Sequence, residues 1–107
     1  MDELEGRDLA SVAGSVDDQG VATITLGGEL DLASVGTVRE GIDKVLGPGT
    51  QRVVFDLKEL TFMDSSGIGL MVQVRNDVGS VELRNASRIV RRAIEATGLG
   101  DILGLPS

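Results

Sequence analysis

With 107 residues, the chain is long enough for one compact domain and leaves little room for a second. The absence of cysteine and histidine excludes disulfides, zinc sites of the usual ligand types, and the catalytic triads that need either residue. A net charge of −7, without Trp or Tyr, disfavours nucleic acid and anionic membranes, so we expect a protein partner.

The N-terminus begins MDELEGRD, which is acidic and has no apolar signal core. No apolar stretch approaches the roughly 18 residues that a membrane span needs. We therefore interpret residues 1–7 as a flexible N-terminus and residues 8–107 as a single domain, with a cytoplasmic location.

The first half of the chain predicts a hairpin followed by a helix. Apolar residues at period two predict a first strand within residues 8–16, and a β-branched run from residue 21 to 26 predicts a second. Gly27 and Gly28 are expected to stop that strand. From Val35 the apolar residues recur at three- and four-residue spacing, which predicts a helix that ends at residues 47–49 (GPG).

The middle of the chain predicts a central strand and a helix with two apolar sides. Residues 52–57 have a continuous apolar centre, which suits a strand inside a sheet. The next helix runs from Ser66 to about Asp77. Because Leu70 points almost opposite to Ile68, this helix either packs on two sides or offers one side to a partner.

The last part predicts a short strand, a third helix and a docked tail. Residues 81–84 form the strand, Ser87 is the N-cap of the helix, and Gly98 closes it. The apolar tail that follows is too short to fold alone, so we expect it to pack on the domain. The β-β-α-β-α-β-α order indicates an α/β fold whose mixed sheet has parallel later strands, with functional loops at residues 27–34 and 58–67.

The segment with the most chemistry places two hydroxyls at a helix N-terminus, next to Asp64. Unpaired N–H groups and the helix dipole favour an added phosphate there, so Ser65, or alternatively Ser66, is a candidate phosphorylation site. The same residues also form an ordinary helix cap, and spacing alone leaves both interpretations open.

Catalysis and metal binding are the other possibilities for these loops. A nucleophilic Ser65 would need a base, and neither a histidine nor a suitable nearby lysine exists. Asp31, Asp56 and Asp64 could hold magnesium at the carboxyl edge of the sheet, but Asp31 and Asp56 are more simply a helix cap and a strand-end cap. We expect no catalytic activity, no cofactor and no resident metal.

Three segments resemble the STAS domain family, and within it the bacterial anti-sigma factor antagonists. They are residues 28–31 (GELD), residues 62–69 (FMDSSGIG) and residues 96–99 (ATGL), in the family's order and approximate spacing. The resemblance covers residues 9–103 and implies a STAS-type mixed sheet with helices packed mainly on one face. The link at residues 75–80 looks about one helical turn shorter than is usual in the family.

What the resemblance implies is a switch rather than an enzyme. In this family the unphosphorylated protein binds an anti-sigma factor that is also a serine kinase, which frees the sigma factor, and phosphorylation breaks the complex. The first serine of the motif, here Ser65, carries the phosphate, and a metal-dependent serine phosphatase removes it. By family position the partner-binding residues are Asp31, Asp64, Ser66, Gly67, Ile68, Leu70 and Met71.

Two other functions remain open from the sequence. The chain could be a STAS scaffold or interaction module of another regulatory system. It could also be a nucleotide-binding domain, although no phosphate-cradling loop supports that function.

Overall fold

The computed structural model of the protein describes residues 9–106. The predicted flexible N-terminus, residues 1–7, lies outside the described residues. The elements follow the predicted order: β1 (Ser11–Val16), β2 (Val21–Leu30), α1 (Val35–Val45), β3 (Arg52–Met63), α2 (Ser65–Val78), β4 (Val81–Arg84) and α3 (Arg88–Glu95).

The four strands of the described residues form one sheet in the order β1-β2-β3-β4. β1 pairs with β2 antiparallel, whereas β2 with β3 and β3 with β4 pair parallel. The prediction of a mixed sheet with parallel later strands is therefore confirmed, and β3 lies inside the sheet as expected.

The prediction that Gly27 and Gly28 stop β2 is wrong. β2 continues to Leu30 and stays paired with β3, with register shifts between Thr25 and Gly27 and between Gly28 and Glu29. Gly28 has a φ of 76°, which glycine adopts without strain, so the pair makes a bulge instead of a turn. β3 likewise extends to Met63, and most of the loop expected after residue 57 is strand.

The helices pack on one face of the sheet, as predicted. Their buried side chains belong to one hydrophobic cluster with alternate residues of β2 and β3, namely Ala22, Ile24, Leu26, Val53, Phe55 and Leu57. Side chains of a strand alternate between its two faces, so this set defines the face that the helices cover.

The C-terminal tail packs on the domain, as predicted. Leu103 is fully buried, and the backbone N–H of Leu83 in β4 donates to the carbonyl of Gly104 at 3.1 Å. A Cβ at residue 104 would lie 2.4 Å from the carbonyl oxygen of Val81, so only glycine permits this approach. The tail therefore covers the outer edge of β4.

Between residues 9 and 106, the structure contains no helix with the length and apolar character required to cross a membrane.

Candidate functional site

The candidate site lies where β3 ends and α2 begins. Asp64, in extended conformation, is the N-cap of α2, and its carboxylate accepts a hydrogen bond from the Ser66 N–H at 2.8 Å. Its carbonyl accepts from the N–H groups of Gly67 and Ile68 at 3.1 and 3.3 Å. The residues therefore form a capped helix start, because Asp64 satisfies three N–H groups of the first turn.

Ser65 is the first residue of α2 and is exposed. Its hydroxyl has no hydrogen-bond partner among the described residues, whereas Ser66 is half-buried. Of the two candidate phosphorylation sites, Ser65 is the one whose hydroxyl is open to an approaching enzyme.

A phosphate on Ser65 would meet two opposing electrostatic effects. The helix dipole favours a negative charge by about 0.3–1 kcal/mol, but Asp64 already places an anion at this helix end. About two phosphate charges roughly 6 Å from a carboxylate repel it by about 1 kcal/mol in water. The two effects nearly offset each other, so we expect the fold of this helix start to tolerate a phosphate.

Asp31 lies at the end of the neighbouring strand. Leu30 of β2 pairs with Met63 of β3, and the Asp64 N–H donates to the Leu30 carbonyl at 3.2 Å, so Asp31 and Asp64 follow adjacent strand ends. The Asp31 carboxylate accepts from the Ser34 N–H, and the Ser34 hydroxyl accepts from the Asp31 N–H, both at 3.1 Å. Asp31 thus caps the turn before α1, while Ser34 is the N-cap residue of the helix itself.

Asp56 does not belong to this site. It lies within β3 rather than at its end, and its carboxylate accepts from the Lys58 N–H at 3.0 Å and from the Asn85 side-chain amide at 3.2 Å. The Lys58 hydrogen bond, followed by that of Asn85, lowers the pKa of Asp56. Residues 9–106 contain no group of three His, Cys, Asp or Glu side chains that could hold a metal ion, so the geometry does not support the magnesium alternative.

Four of the predicted partner-binding residues face the interior. Ile68, Leu70 and Met71 are at most 5% exposed, and a Cβ at Gly67 would lie 2.6 Å from Cγ of Met63. Leu70 shows that α2 packs on two sides, one of the two alternatives that its periodicity left open. These residues anchor α2 and present little surface of their own.

A groove between α1 and α2 opens beside Ser66, and sequence reasoning missed it. It has a volume of about 400 Å³ and is lined by Leu32, Val35, Gly36, Arg39, Ser66, Gly69, Leu70 and Gln73. Leu32 is 76% exposed although it is large and apolar. Leu32 precedes α1, so the helical pattern of apolar residues did not identify it. The sequence signal that could have indicated the groove is the presence of Gly36 in α1 and Gly69 in α2.

Arg39 ties the two walls of this groove together. Its guanidinium donates to Asp77 of α2 at 2.7 Å and to Asp43 of α1 at 3.0 Å. The hydrogen bond to Asp77, more than the one to Asp43, raises the pKa of Arg39. The charge of Arg39 is therefore balanced within the chain.

Most of the segment predicted as a link, residues 75–80, is the last turn of α2. α2 continues to Val78 and ends at Gly79, which has a φ of 105° and donates its N–H to the Arg75 carbonyl. Only Gly79 and Ser80 connect the helix to β4.

A serine at the β3–α2 junction, in a mixed sheet with helices on one face, is the arrangement that the sequence resemblance to STAS domains led us to expect. The chain matches the STAS domain over residues 15–106, and it belongs to that family.

The chain is similar to two proteins that are named as antagonists of anti-sigma factors. The chain is 31% identical over 86 residues to the anti-sigma-F factor antagonist RsfB of Mycobacterium tuberculosis, covering 78% of this chain and 70% of that protein. It is also 31% identical over 86 residues to the anti-sigma-B factor antagonist of Bacillus subtilis, covering 77% and 78%.

Among solved structures, the chain is similar to the anti-sigma factor antagonist SpoIIAA in its unphosphorylated form. The TM-score is 0.72 at 26% identity, covering 86% of this chain and 84% of that one. The phosphorylated form of SpoIIAA, described as a Bacillus cell fate determinant, gives a TM-score of 0.63 at 26% identity, covering 86% and 87%.

Proposed function

We propose that this protein is an anti-sigma factor antagonist controlled by phosphorylation of Ser65. The unphosphorylated form binds an anti-sigma factor that is also a serine kinase, and binding frees the sigma factor. Phosphorylation of Ser65 by the bound kinase ends the interaction. The relatives named as antagonists of anti-sigma factors support this function.

The observation that carries the proposal is the position of Ser65. Its exposed hydroxyl belongs to the first residue of α2, has no partner among the described residues, and is next in sequence to Ser66, which lines the groove between α1 and α2. A kinase reaches this hydroxyl without unfolding any element. The same residue lies where a partner that fills the groove would contact the chain.

The charge balance at Ser65 explains how one phosphate acts as a switch. In the free protein, the attraction of the phosphate to the helix dipole and its repulsion by the Asp64 carboxylate nearly cancel, so the domain stays folded. At a contact with a partner, water is excluded, and about two added charges next to Asp64 are far more costly than in solvent. The phosphate therefore weakens the complex much more than it weakens the domain.

The proposed contact surface combines polar and apolar residues. Asp31, Asp64 and Ser66 supply polar groups around Ser65, and Leu32 supplies an exposed apolar side chain. Gly67, Ile68, Leu70 and Met71 contribute by holding α2 in place. A metal-dependent serine phosphatase resets the cycle, and these encounters take place in the cytoplasm.

The test is incubation of the full chain with ATP and the anti-sigma factor serine kinase encoded nearest to it in its genome. Intact mass and phosphosite mapping should find one phosphate, on Ser65. If a kinase that phosphorylates its own antagonist adds none to this chain, the proposal fails and a scaffold module becomes the better interpretation.

Variants at Ser65 separate binding from modification. Ser65→Ala should bind the kinase and accept no phosphate, whereas Ser65→Asp should fold normally and lose the partner. Calorimetric titration gives the affinity and circular dichroism verifies the fold. An Asp variant that binds as tightly as the wild type would show that Ser65 is not at the contact.

A further inference from the structure

Two glycines in the middle of the candidate site have no evident role in the free protein. Gly36 lies in the first turn of α1 and Gly69 in the second turn of α2. Glycine is less favourable than alanine in a helix because it loses more backbone freedom on folding. Such positions need a compensating reason.

Neither backbone conformation nor packing supplies that reason. Neither Gly36 nor Gly69 has a positive φ. A Cβ added at either residue would lie more than 4 Å from every neighbouring atom of the described residues. The contrast is with Gly41 and Gly67, where an added Cβ would lie 3.1 Å from Val12 and 2.6 Å from Met63. An added side chain would therefore clash at Gly67 and crowd Val12 at Gly41, whereas residues 36 and 69 have open space.

Gly36 and Gly69 line the same groove, one from each helix. The groove also includes exposed Leu32 and buried Leu70, and it adjoins the Ser65 surface through Ser66. Arg39, at its wall, is already paired with Asp43 and Asp77. The lining also includes the neutral side chains of Ser66 and Gln73. Because the groove has space, an exposed leucine and no uncompensated charge, it suits an aliphatic side chain better than an ionic group.

We propose that Gly36 and Gly69 are specificity-determining residues that leave room in this groove for an aliphatic side chain of the anti-sigma factor. This inference rests on the proposed function and gives the partner a defined anchor beside Ser65. An alanine methyl at either position would occupy that space. The partner's side chain would then insert less deeply and bind more weakly, while the stability of the free protein would not fall.

The experiment compares Gly69→Ala and Gly36→Ala with a matched control, Asn76→Ala, which replaces an exposed α2 residue outside the groove. Thermal unfolding is measured on the free protein. Affinity is measured by calorimetry with the anti-sigma factor kinase encoded nearest to the chain. Both glycine variants should unfold at or above the wild-type temperature and bind at least tenfold more weakly, whereas the control should bind like the wild type.

The outcomes distinguish this inference from the proposed function. If the wild type binds the kinase and both glycine variants bind within twofold of it, the inference is overturned while the proposed function stands. A Gly69→Ala variant that unfolds at a lower temperature also overturns it, since the glycine would then serve the fold. If the wild type does not bind, the proposed function itself fails and the inference falls with it.

Discussion

Substitution of Gly67 gives a specific prediction for stability, because an added methyl group would contact buried core side chains. In Gly67→Ala, the new Cβ would lie 2.6 Å from Cγ of Met63 and 2.8 Å from Cγ of Leu30. Both neighbours are core side chains, at 3% and 1% exposure, so they have little space to retreat. The contact must be relieved by moving the start of α2 away from the sheet.

The expected magnitude follows from two opposing effects. Overpacking of a close-packed core costs about 1–3 kcal/mol, and alanine returns about 0.5–1 kcal/mol because it favours the helix. The free energy of unfolding should therefore fall by about 0–2.5 kcal/mol, with a central value of about 1 kcal/mol. For a domain of this size, each kcal/mol lowers the unfolding temperature by about 4–8 °C.

Urea denaturation and differential scanning calorimetry measure this loss directly. Gly69→Ala is the matched control, since it makes the same change in the same helix where no described atom lies within 4 Å of the added Cβ. The control should gain about 0.5–1 kcal/mol. If Gly67→Ala proves as stable as Gly69→Ala, the packing argument for Gly67 is refuted.

Two further predictions concern carboxylates. Asp64→Ala removes the side-chain cap of α2 and should cost about 1 kcal/mol by urea denaturation, whereas Asp64→Asn keeps an acceptor oxygen and should cost less; equal losses would argue against the cap. Asp56 has a pKa that folding lowers, so its stabilising effect is complete above about pH 4 and is lost as the pH falls through the lower folded value. Asp56→Asn should therefore lose less stability than the wild type between pH 5 and pH 2, and parallel acid-unfolding curves would contradict this.

Local sequence signals predicted the parts of the site that depend on neighbouring residues. Asp64 before two serines and a glycine predicted a helix start, and the structure shows the carboxylate on the Ser66 N–H. Ser87 was likewise predicted as an N-cap, and its hydroxyl accepts from the Val90 N–H at 3.3 Å. Helix caps and the apolar faces of helices involve residues only a few positions apart, so the local sequence is enough to predict them.

The groove could not be predicted in this way because its walls come from separate elements. Leu32 precedes α1 and Gly36 lies in α1, while Gly69 and Leu70 belong to α2. Only the packing of the two helices shows that these residues share a surface. Leu70 is a second example, because the spacing of apolar residues in α2 did not decide whether its side chain is buried or exposed. Whether a side chain is buried depends on which other element packs against it, and the sequence of a single helix does not contain that information.

The sequence by itself determined the order of the elements, the capped start of α2 and the docking of the apolar tail. The tertiary structure alone decided that Gly27 and Gly28 continue β2 and that Asp56 lies within β3, away from the strand ends that Asp31 and Asp64 follow. A glycine pair is compatible with a turn or a bulge, and hydrogen bonds from β3, distant in sequence, select the bulge. Local sequence thus encodes turns, caps and stripes, whereas strand length and site geometry arise from partners that only folding brings into contact.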